Sequence, residues 1–450
     1  MTARSIATMA VALWLGLGAV LPTIARAQSL PPDGAVPRAV DLPSVLTLDE
    51  SVQILRARGL DLLIANAQIV SAEGDALVAG AVANPNVSAA AGPAFNYNAH
   101  APGCSGCQQY AVQWGISDNG ALVDFLAGKR GLRVDAARAA VVSAKLGRAD
   151  ALRNLEAQVK QQYVQVVLAK RSVDFATEVT GTLGLLVELN KRRYPGVIDE
   201  GALARVEVQK LEADQALDSA KLALRQARIG LAFLLGVRGS VPDFDVEADS
   251  LKFRVPAALD GATEQSLIER SLALRPDLQQ LAYERKRATA SLRLAERQRF
   301  PDVAVQMQYS QLGQGQNVGQ PMNLVVGLSV TLPVFYQQQG EIRKAHADVD
   351  TQALTQAKTQ AQVVADVGTA YATFVASKAL VERMEGSLLA RAKTARDIVE
   401  IQHRAGTVPL MDFLDAERTY IATNLEYFQD LAAYWTAIYQ LEQATATELR

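Results

Sequence analysis

The fold of this chain is decided by two runs of alternating side chains, Val-Ala-Val-Gln-Met-Gln-Tyr-Ser-Gln at 303–311 and Asn-Leu-Val-Val-Gly-Leu-Ser-Val-Thr-Leu at 323–332. Such alternation is the period of a β-strand with one apolar face. The apolar positions are Val303, Val305, Met307, Tyr309, Leu324, Val326, Leu328, Val330 and Leu332. The polar positions are Gln306, Gln308, Ser310, Asn323, Gly327, Ser329 and Thr331. The runs predict a β-hairpin at 302–334, which must join other hairpins because a lone hairpin is marginal in water.

A second hairpin is predicted at 86–118 from the same alternation. Its first strand has one face made of Val87, Ala89, Ala91, Phe95 and Tyr97, and its return strand has one made of Tyr110, Val112, Trp114 and Ile116. The apolar face of both hairpins has to meet either a protein core or lipid.

The rest of the chain has the pattern of long helices. Residues 129–194 contain no proline and carry apolar side chains at a helical 3/4 spacing. Pro195-Gly196 ends this helix, and a second one returns over about 200–235. After an irregular stretch at 239–263, a helix, a hairpin, a proline-free helix over about 338–404, a turn at Gly406 and a last helix follow in the same order.

Local matches show that the two halves are a duplication. Ala-Asn-Pro-Asn-Val at 83–87 corresponds to Arg-Phe-Pro-Asp-Val at 299–303, and Gly196 corresponds to Gly406. A two-fold repeat is typical of a duplicated unit. The predicted organisation is a signal peptide at 1–27, a linker at 28–46, repeat 1 at 47–238 with its turn at 194–199, a linker at 239–263, and repeat 2 at 264–450 with its turn at 404–409.

The N-terminus predicts export. Arg4, an apolar run to about residue 21 and Ala25-Arg26-Ala27 have the order of a secretory signal peptide with its cleavage site. An uncleaved membrane anchor is the alternative interpretation. In an exported chain, Cys104 and Cys107 favour a local disulfide or inert thiols, although two thiols are also half of a tetrahedral metal site.

Composition and motifs exclude several classes of function. The formal net charge is −2, so nothing favours nucleic-acid binding. The sequence contains no nucleotide-binding loop, no Gly-x-Ser-x-Gly and no paired histidine ligands, since His100, His346 and His403 lie far apart. We therefore expect neither an enzyme nor a bound cofactor or metal.

Four strands cannot close a barrel wide enough to pass a solute, because outer-membrane barrels begin at about eight strands. The strands therefore predict an oligomer that shares one barrel. The fold class is an α+β membrane protein with a two-fold internal repeat and long coiled-coil helices.

The chain resembles a known family, the outer membrane factors or TolC-like efflux ducts. The matching residues are Leu-Thr-Leu-Asp-Glu at 46–50, Asn-Pro-Asn at 84–86, Gly-Lys-Arg at 128–130, Leu-Pro-Val-Phe at 332–335, Gln-Gly-Glu-Ile at 339–342 and the run 404–417. The resemblance covers essentially all of 47–449. It implies a homotrimer with a shared twelve-stranded β-barrel in the outer membrane and a long α-helical barrel in the periplasm. It also implies docking to a periplasmic adaptor (membrane fusion) protein and, through it, to an inner-membrane pump of the RND or another type.

The resemblance assigns faces to the strands. Outer-membrane lipid would contact the apolar strand face, including Tyr110, Val112, Trp114, Tyr309, Leu324, Val326 and Leu328. Gln306, Gln308, Ser329 and Thr331 would face a water-filled lumen.

The resemblance also assigns the helix turns at the periplasmic end. The turns at Gly196 and Gly406 would contact the adaptor. Asp412 and Asp415 would line a gate that favours cations, since their spacing puts both on one helix face. Spacing alone favours the other interpretation, in which they are solvated first-turn carboxylates stabilised by the helix dipole.

One feature of the family is missing from this chain. The side chains that lock the closed tip in the best-known member align with His403, Val408 and Ala202, so that lock does not carry over. Asp199 and Glu200 are offered as substitutes that would pair with His403 or Arg404.

The transported substrate and two alternatives stay open. Gln-Gly-Glu-Ile at 339–342 resembles the heavy-metal branch of the family, so metal cations and drugs are both candidates. A duct for type I protein secretion is one alternative function. A periplasmic coiled-coil adaptor or scaffold is the other, and it would require a further domain rich in strands.

Overall fold

The computed structural model describes residues 42–93, 100, 109–194, 199–247, 251–311 and 323–449. The predicted signal peptide, most of the predicted N-terminal linker, Cys104, Cys107 and Gly196 lie outside the described residues. The elements below therefore concern repeat 1 from residue 42 onward, the segment between the repeats, and repeat 2.

The elements follow the same order twice. The first half contains β1 (Val45–Leu46), α1 (Leu48–Arg58), α2 (Leu60–Gly80), β2 (Asn86–Pro93), β3 (Tyr110–Ser117), α3 (Ala121–Leu126), α4 (Lys129–Arg193) and α5 (Glu200–Leu234). The second half contains β4 (Asp245–Val246), α6 (Glu264–Leu274), α7 (Pro276–Arg297), β5 (Asp302–Gln311), β6 (Asn323–Thr331), α8 (Gln339–Arg383), α9 (Leu389–Arg404) and α10 (Leu410–Thr445). At 65 residues, α4 is about 100 Å long.

The two hairpins form one antiparallel sheet in the order β2-β3-β5-β6. Trp114 is opposite Tyr309, and Tyr309 is opposite Leu324, so these three side chains lie on one face. The predicted apolar face is therefore continuous across both hairpins. Val325 is an exception, because it is opposite Gln308 and lies on the polar face.

The first helix of each repeat is broken, whereas the sequence predicted one uninterrupted helix in each. α1 ends at Gly59, whose backbone is extended (φ −56°, ψ 121°), and α6 ends at Arg275 before Pro276. Proline provides no N–H and disfavours a helical residue before it. Both short helices begin at a threonine capping box, at Thr47 and at Thr263, and the first of these boxes was predicted from the sequence.

The segment between the repeats is more ordered than its irregular sequence predicted. β4, from that segment, pairs in parallel with β1, from the predicted linker. Leu46 and Val246 are buried in the core cluster that also contains Trp435 and Tyr434. The fold therefore begins before residue 47. The sequence did not predict this strand because two residues are too few to show an alternation of side chains.

The helix predicted over about 338–404 also differs from expectation. A π-helical turn at Met384–Leu388 separates α8 from α9. One extra residue in a turn costs little and leaves no proline or glycine-pair signal in the sequence. Repeat 1 contains no such turn within α4.

Candidate functional site

A polar cavity of about 940 Å³ lies against the polar face of the sheet. Its upper lining consists of uncharged hydrogen-bonding side chains from β2, β5 and β6, namely Ser88, Gln306, Gln308, Ser329 and Thr331. Strand alternation places them together, because residues two apart share a face. The four side chains predicted to face a lumen thus all line one cavity.

Below these groups, the cavity wall carries an ion pair. The Arg133 guanidinium of α4 binds the Asp124 carboxylate of α3 through two nitrogens, at 2.8 and 2.5 Å. A bidentate pair of this kind fixes the orientation of both side chains. It also neutralises the charge that either group would present to the cavity.

Two charged residues hold the junction between sheet and helices. The Asp118 carboxylate, directly after β3, accepts hydrogen bonds from the backbone N–H groups of Gly120, Leu122 and Val305. The bonds from Leu122 and Gly120 hold the pKa of Asp118 below its ordinary value. Val305 belongs to β5, so this one carboxylate joins the two hairpins.

Lys129, the first residue of α4, makes the second link. Its ammonium group is buried and lies 2.7 Å from Asp302 and 3.0 Å from the carbonyl oxygen of Phe300. Neither long-range contact was predicted from the sequence, because Val305 lies 187 positions from Asp118 and Asp302 lies 173 positions from Lys129.

The opposite, apolar face of the sheet is exposed in the single chain. Leu324, Val326 and Leu328 are 65%, 70% and 68% exposed, and Tyr110 and Trp114 are 58% and 47% exposed. Val112 lies on the same face by register, opposite Ala91. Apolar surface of this extent requires a cover, since soluble monomers rarely leave such patches in water.

The first two turns of α10 have one buried and one exposed side. Phe413, Leu414 and Glu417 are buried, whereas Asp412 and Asp415 are exposed. The carboxylates therefore project away from the surface on which α10 packs against α9. Both belong to the same turn of helix, as their spacing predicted.

A buried ion pair anchors this turn. Glu417 is 2% exposed, and its carboxylate lies 2.9 Å from Nε of Arg396 on α9. The Arg396 guanidinium also lies 5.0 Å from the ring centroid of Tyr420. The sequence analysis did not identify Arg396. Its partner Glu417 did carry a signal, because Glu207 occupies the corresponding position in repeat 1.

The turn between α9 and α10 depends on Gly406, whose φ of 78° lies in the left-handed region. His403 packs inside this turn: its ring stacks on Phe413, and its Nδ1 lies 3.2 Å from the carbonyl oxygen of Val408. The interaction predicted between this end and the tip of repeat 1 is absent within the described part of the chain.

The substitute lock does not form within the single chain, where Asp199, Arg404 and His403 have other partners, and it stays a prediction. Asp199 caps α5 by accepting a hydrogen bond from the N–H of Ala202 at 2.6 Å. Arg404 pairs with Glu400 at 2.5 Å, one helical turn away. His403 is engaged with Val408 as described above. Local partners win because they cost little side-chain entropy to reach.

Comparison with known proteins defines the class. Residues 267–447 match the family model described as outer membrane efflux protein. The cobalt-zinc-cadmium resistance protein CzcC of Cupriavidus metallidurans is 24% identical over 314 residues, which are 69% of this chain and 72% of that protein.

The fold matches solved outer-membrane channels over nearly the whole chain. A structure of CusC has a TM-score of 0.70 at 17% identity, covering 91% of this chain and 96% of that one. The open state of the MtrE channel of Neisseria gonorrhoeae has a TM-score of 0.68 at 17% identity, covering 92% and 94%.

The fold, with its long helices and its two-faced sheet, is that of solved outer-membrane channels. Over residues 267–447 the chain also matches the outer membrane efflux protein family. The resemblance drawn from the sequence is confirmed at this level.

The Asp118 junction predicts a specific pH dependence. Because the folded pKa of Asp118 is depressed, its carboxylate stabilises the fold above its ordinary pKa of about 3.9, and this contribution is lost as the pH falls through the folded value. The Asp118→Asn variant should therefore melt below the wild type at about pH 7, and the gap should close under stronger acid.

Thermal melting followed by circular dichroism from about pH 7 to about pH 2 checks this. The matched control is Asp348→Asn, which removes an exposed carboxylate of α8 and should leave the melting gap small at every pH. A gap for Asp118→Asn that is constant across this range would contradict the role of the ionised carboxylate.

Proposed function

We propose that three copies of this chain form a passive duct that carries metal cations out of the periplasm, with a gate at Asp412 and Asp415. The observation that carries the gate is the burial pattern of the first two turns of α10, where Phe413, Leu414 and Glu417 are buried and the two carboxylates are exposed.

The trimer is supported by the open edges of the sheet. Within the described residues, β2 and β6 each pair on one side only, so their outer backbone groups lack partners. In a membrane such edges must be closed by another strand. Three copies would supply twelve strands, which is enough for an aqueous lumen.

The helices also support association of copies. The stretch Leu48–Gly80, which contains α1 and α2, is apolar enough to qualify as a membrane span by composition alone, yet only 11% of its best window is buried. Ile64, Leu77 and Val78 of α2 are 57%, 79% and 74% exposed. A neighbouring copy would cover this edge of the helical layer, since such a surface is costly to leave in water.

The tip would be the docking surface for partners. Channels of this family are trimers that work with a periplasmic adaptor and an inner-membrane pump. In this chain we assign the adaptor contact to the turns at Gly196 and Gly406. The left-handed backbone of Gly406 supports this, because a tight turn with no side chain lets a partner helix approach closely.

Metal cations are favoured as cargo by two observations. The curated relative is a cobalt-zinc-cadmium resistance protein. Three copies of the exposed carboxylate pair would form two acidic rings, and such rings favour cations at a constriction. The upper lumen, lined by amides and hydroxyls, would add little charge selection.

Two other functions receive less support. A periplasmic adaptor would need a strand-rich domain, and in the described residues the strands form only two hairpins and one short parallel pair. A type I secretion duct would share this fold, so its cargo rather than its architecture would distinguish it.

The gate predicts a change in conduction. Asp412→Ala combined with Asp415→Ala should raise single-channel conductance, or abolish block by multivalent cations, because six carboxylates are lost from the trimer tip. Recordings in planar bilayers, with a trivalent cation added on the periplasmic side, measure both quantities.

The matched control is Asp348→Ala with Asp350→Ala, which removes two exposed carboxylates of α8 near the membrane end. It should leave block by the trivalent cation close to the wild-type value. If the tip variant shows unchanged conductance and unchanged block, Asp412 and Asp415 do not form the gate.

The cargo predicts a resistance phenotype. Deletion of the gene should sensitise the host to cobalt, zinc or cadmium and leave its tolerance of common drugs unchanged, because the channel is the exit path of one pump. Growth on graded metal and drug plates measures this, with the wild-type gene on a plasmid as the restoring control. Sensitivity to drugs alone would contradict a metal duct while leaving an efflux channel in place.

A further inference from the structure

A second surface of the molecule has a distinctive chemistry, a groove of about 670 Å³ between α4, α7 and α8. We call it the basic groove and define it by four cationic side chains, Arg138, Arg285, Lys286 and Arg293. One carboxylate, Asp135, the polar side chains of Tyr283, Thr289 and Gln356, and several apolar side chains complete the lining.

The cations of the basic groove are not neutralised by their surroundings. On this stretch of α7, Arg287 forms an ion pair with Glu284 at 2.7 Å. Within the described residues, the four groove cations form no ion pair. Residues 285–299 contain six arginines and lysines and a single acid, Glu296. Lys286 lies 4.2 Å above the ring centroid of Tyr283, which holds its ammonium group in the groove.

The basic groove opens away from the lumen. Arg133 of α4 lines the polar cavity on the luminal side. At about 100° per residue, Asp135 and Val142 point roughly 200° and 180° away from Arg133 around the same helix. Both line the groove, which therefore lies on the outer surface of the helical layer.

The groove also lies close to the membrane. On α7 the groove runs from Arg293, about 6 Å from the end of the helix, to Arg285, about 18 Å from it, and β5 follows after a short link. Exposed aromatic side chains mark this junction, namely Phe125 (65%), Phe300 (56%), Phe335 (101%) and Tyr336 (50%). Aromatic residues of this kind are enriched at the level of lipid headgroups.

We propose that the basic groove binds the phosphate headgroup of an anionic phospholipid of the phosphatidylglycerol type in the periplasm-facing leaflet. Guanidinium groups bind phosphate oxygens through two parallel hydrogen bonds, and a basic pocket beside a membrane span is suited to such headgroups. The apolar belt above the groove would receive the acyl chains. The proposal rests on the outer-membrane location of the sheet.

Native mass spectrometry of the detergent-purified trimer tests this, with phosphatidylglycerol, phosphatidylethanolamine and soluble glycerol phosphate as separate probes. The Lys286→Gln, Arg293→Gln variant should bind phosphatidylglycerol about tenfold more weakly than the wild type. The matched control, Arg391→Gln with Lys393→Gln, removes two exposed cations from α9 and should bind like the wild type.

Two results would overturn the proposal. One is that the groove variant and the control variant lose phosphatidylglycerol binding equally, or that neither loses it. The other is saturation by glycerol phosphate at the affinity of the lipid, which would make the groove a site for soluble phosphate. Trimer mass and channel conductance of the same variants should stay at wild-type values, so a failure here is distinguishable from a failure of the duct itself.

Discussion

The structure depends on a sheet that cannot exist alone. Its four strands have two open edges, an exposed apolar face and a polar face that lines a cavity. Water is a poor environment for the apolar face, and lipid is a poor environment for the open edges. Closure with further copies inside a membrane would cover the apolar face with lipid and pair the open edges. The arrangement of the rest of the chain is consistent with such closure.

The long helices follow from this closure, and they would lie on the periplasmic side of the membrane. The lumen proposed along the polar face of the sheet would continue through water between the long helices. Asp118 and Lys129 of repeat 1 link this junction to β5 of repeat 2. At the far end the same helices turn at Gly406, where the exposed carboxylates of Asp412 and Asp415 would be brought together by the three-fold assembly. Acidic charge would thus lie where the duct is narrowest, whereas the charged groups of the cavity wall are paired, Asp302 with Lys129 and Asp124 with Arg133.

Much of this was accessible from the sequence because the signals are periodic. A period of two placed Trp114, Tyr309 and Leu324 on one face, and the cross-strand register agrees. The junction contacts of Asp118 and Lys129 were not accessible, since only the fold brings Val305 and Asp302 near them. The break at Gly59 and the π turn at Met384–Leu388 were missed because backbone hydrogen bonding, rather than side-chain pattern, sets them.

The measurement that tests the closed trimer most directly is a disulfide between β6 of one copy and β2 of the next. If the repeat symmetry extends across copies, the contact should copy the β3–β5 register, in which Ser117 is opposite Gln306. Thr331 is then opposite Ala90 of the neighbour, since Asn86 is opposite Ser117 and Asp302 is opposite Thr331. In a background with Cys104→Ser and Cys107→Ser, Thr331→Cys with Ala90→Cys should oxidise to a covalent trimer on non-reducing gels. Monomers alone after oxidation would contradict the shared barrel.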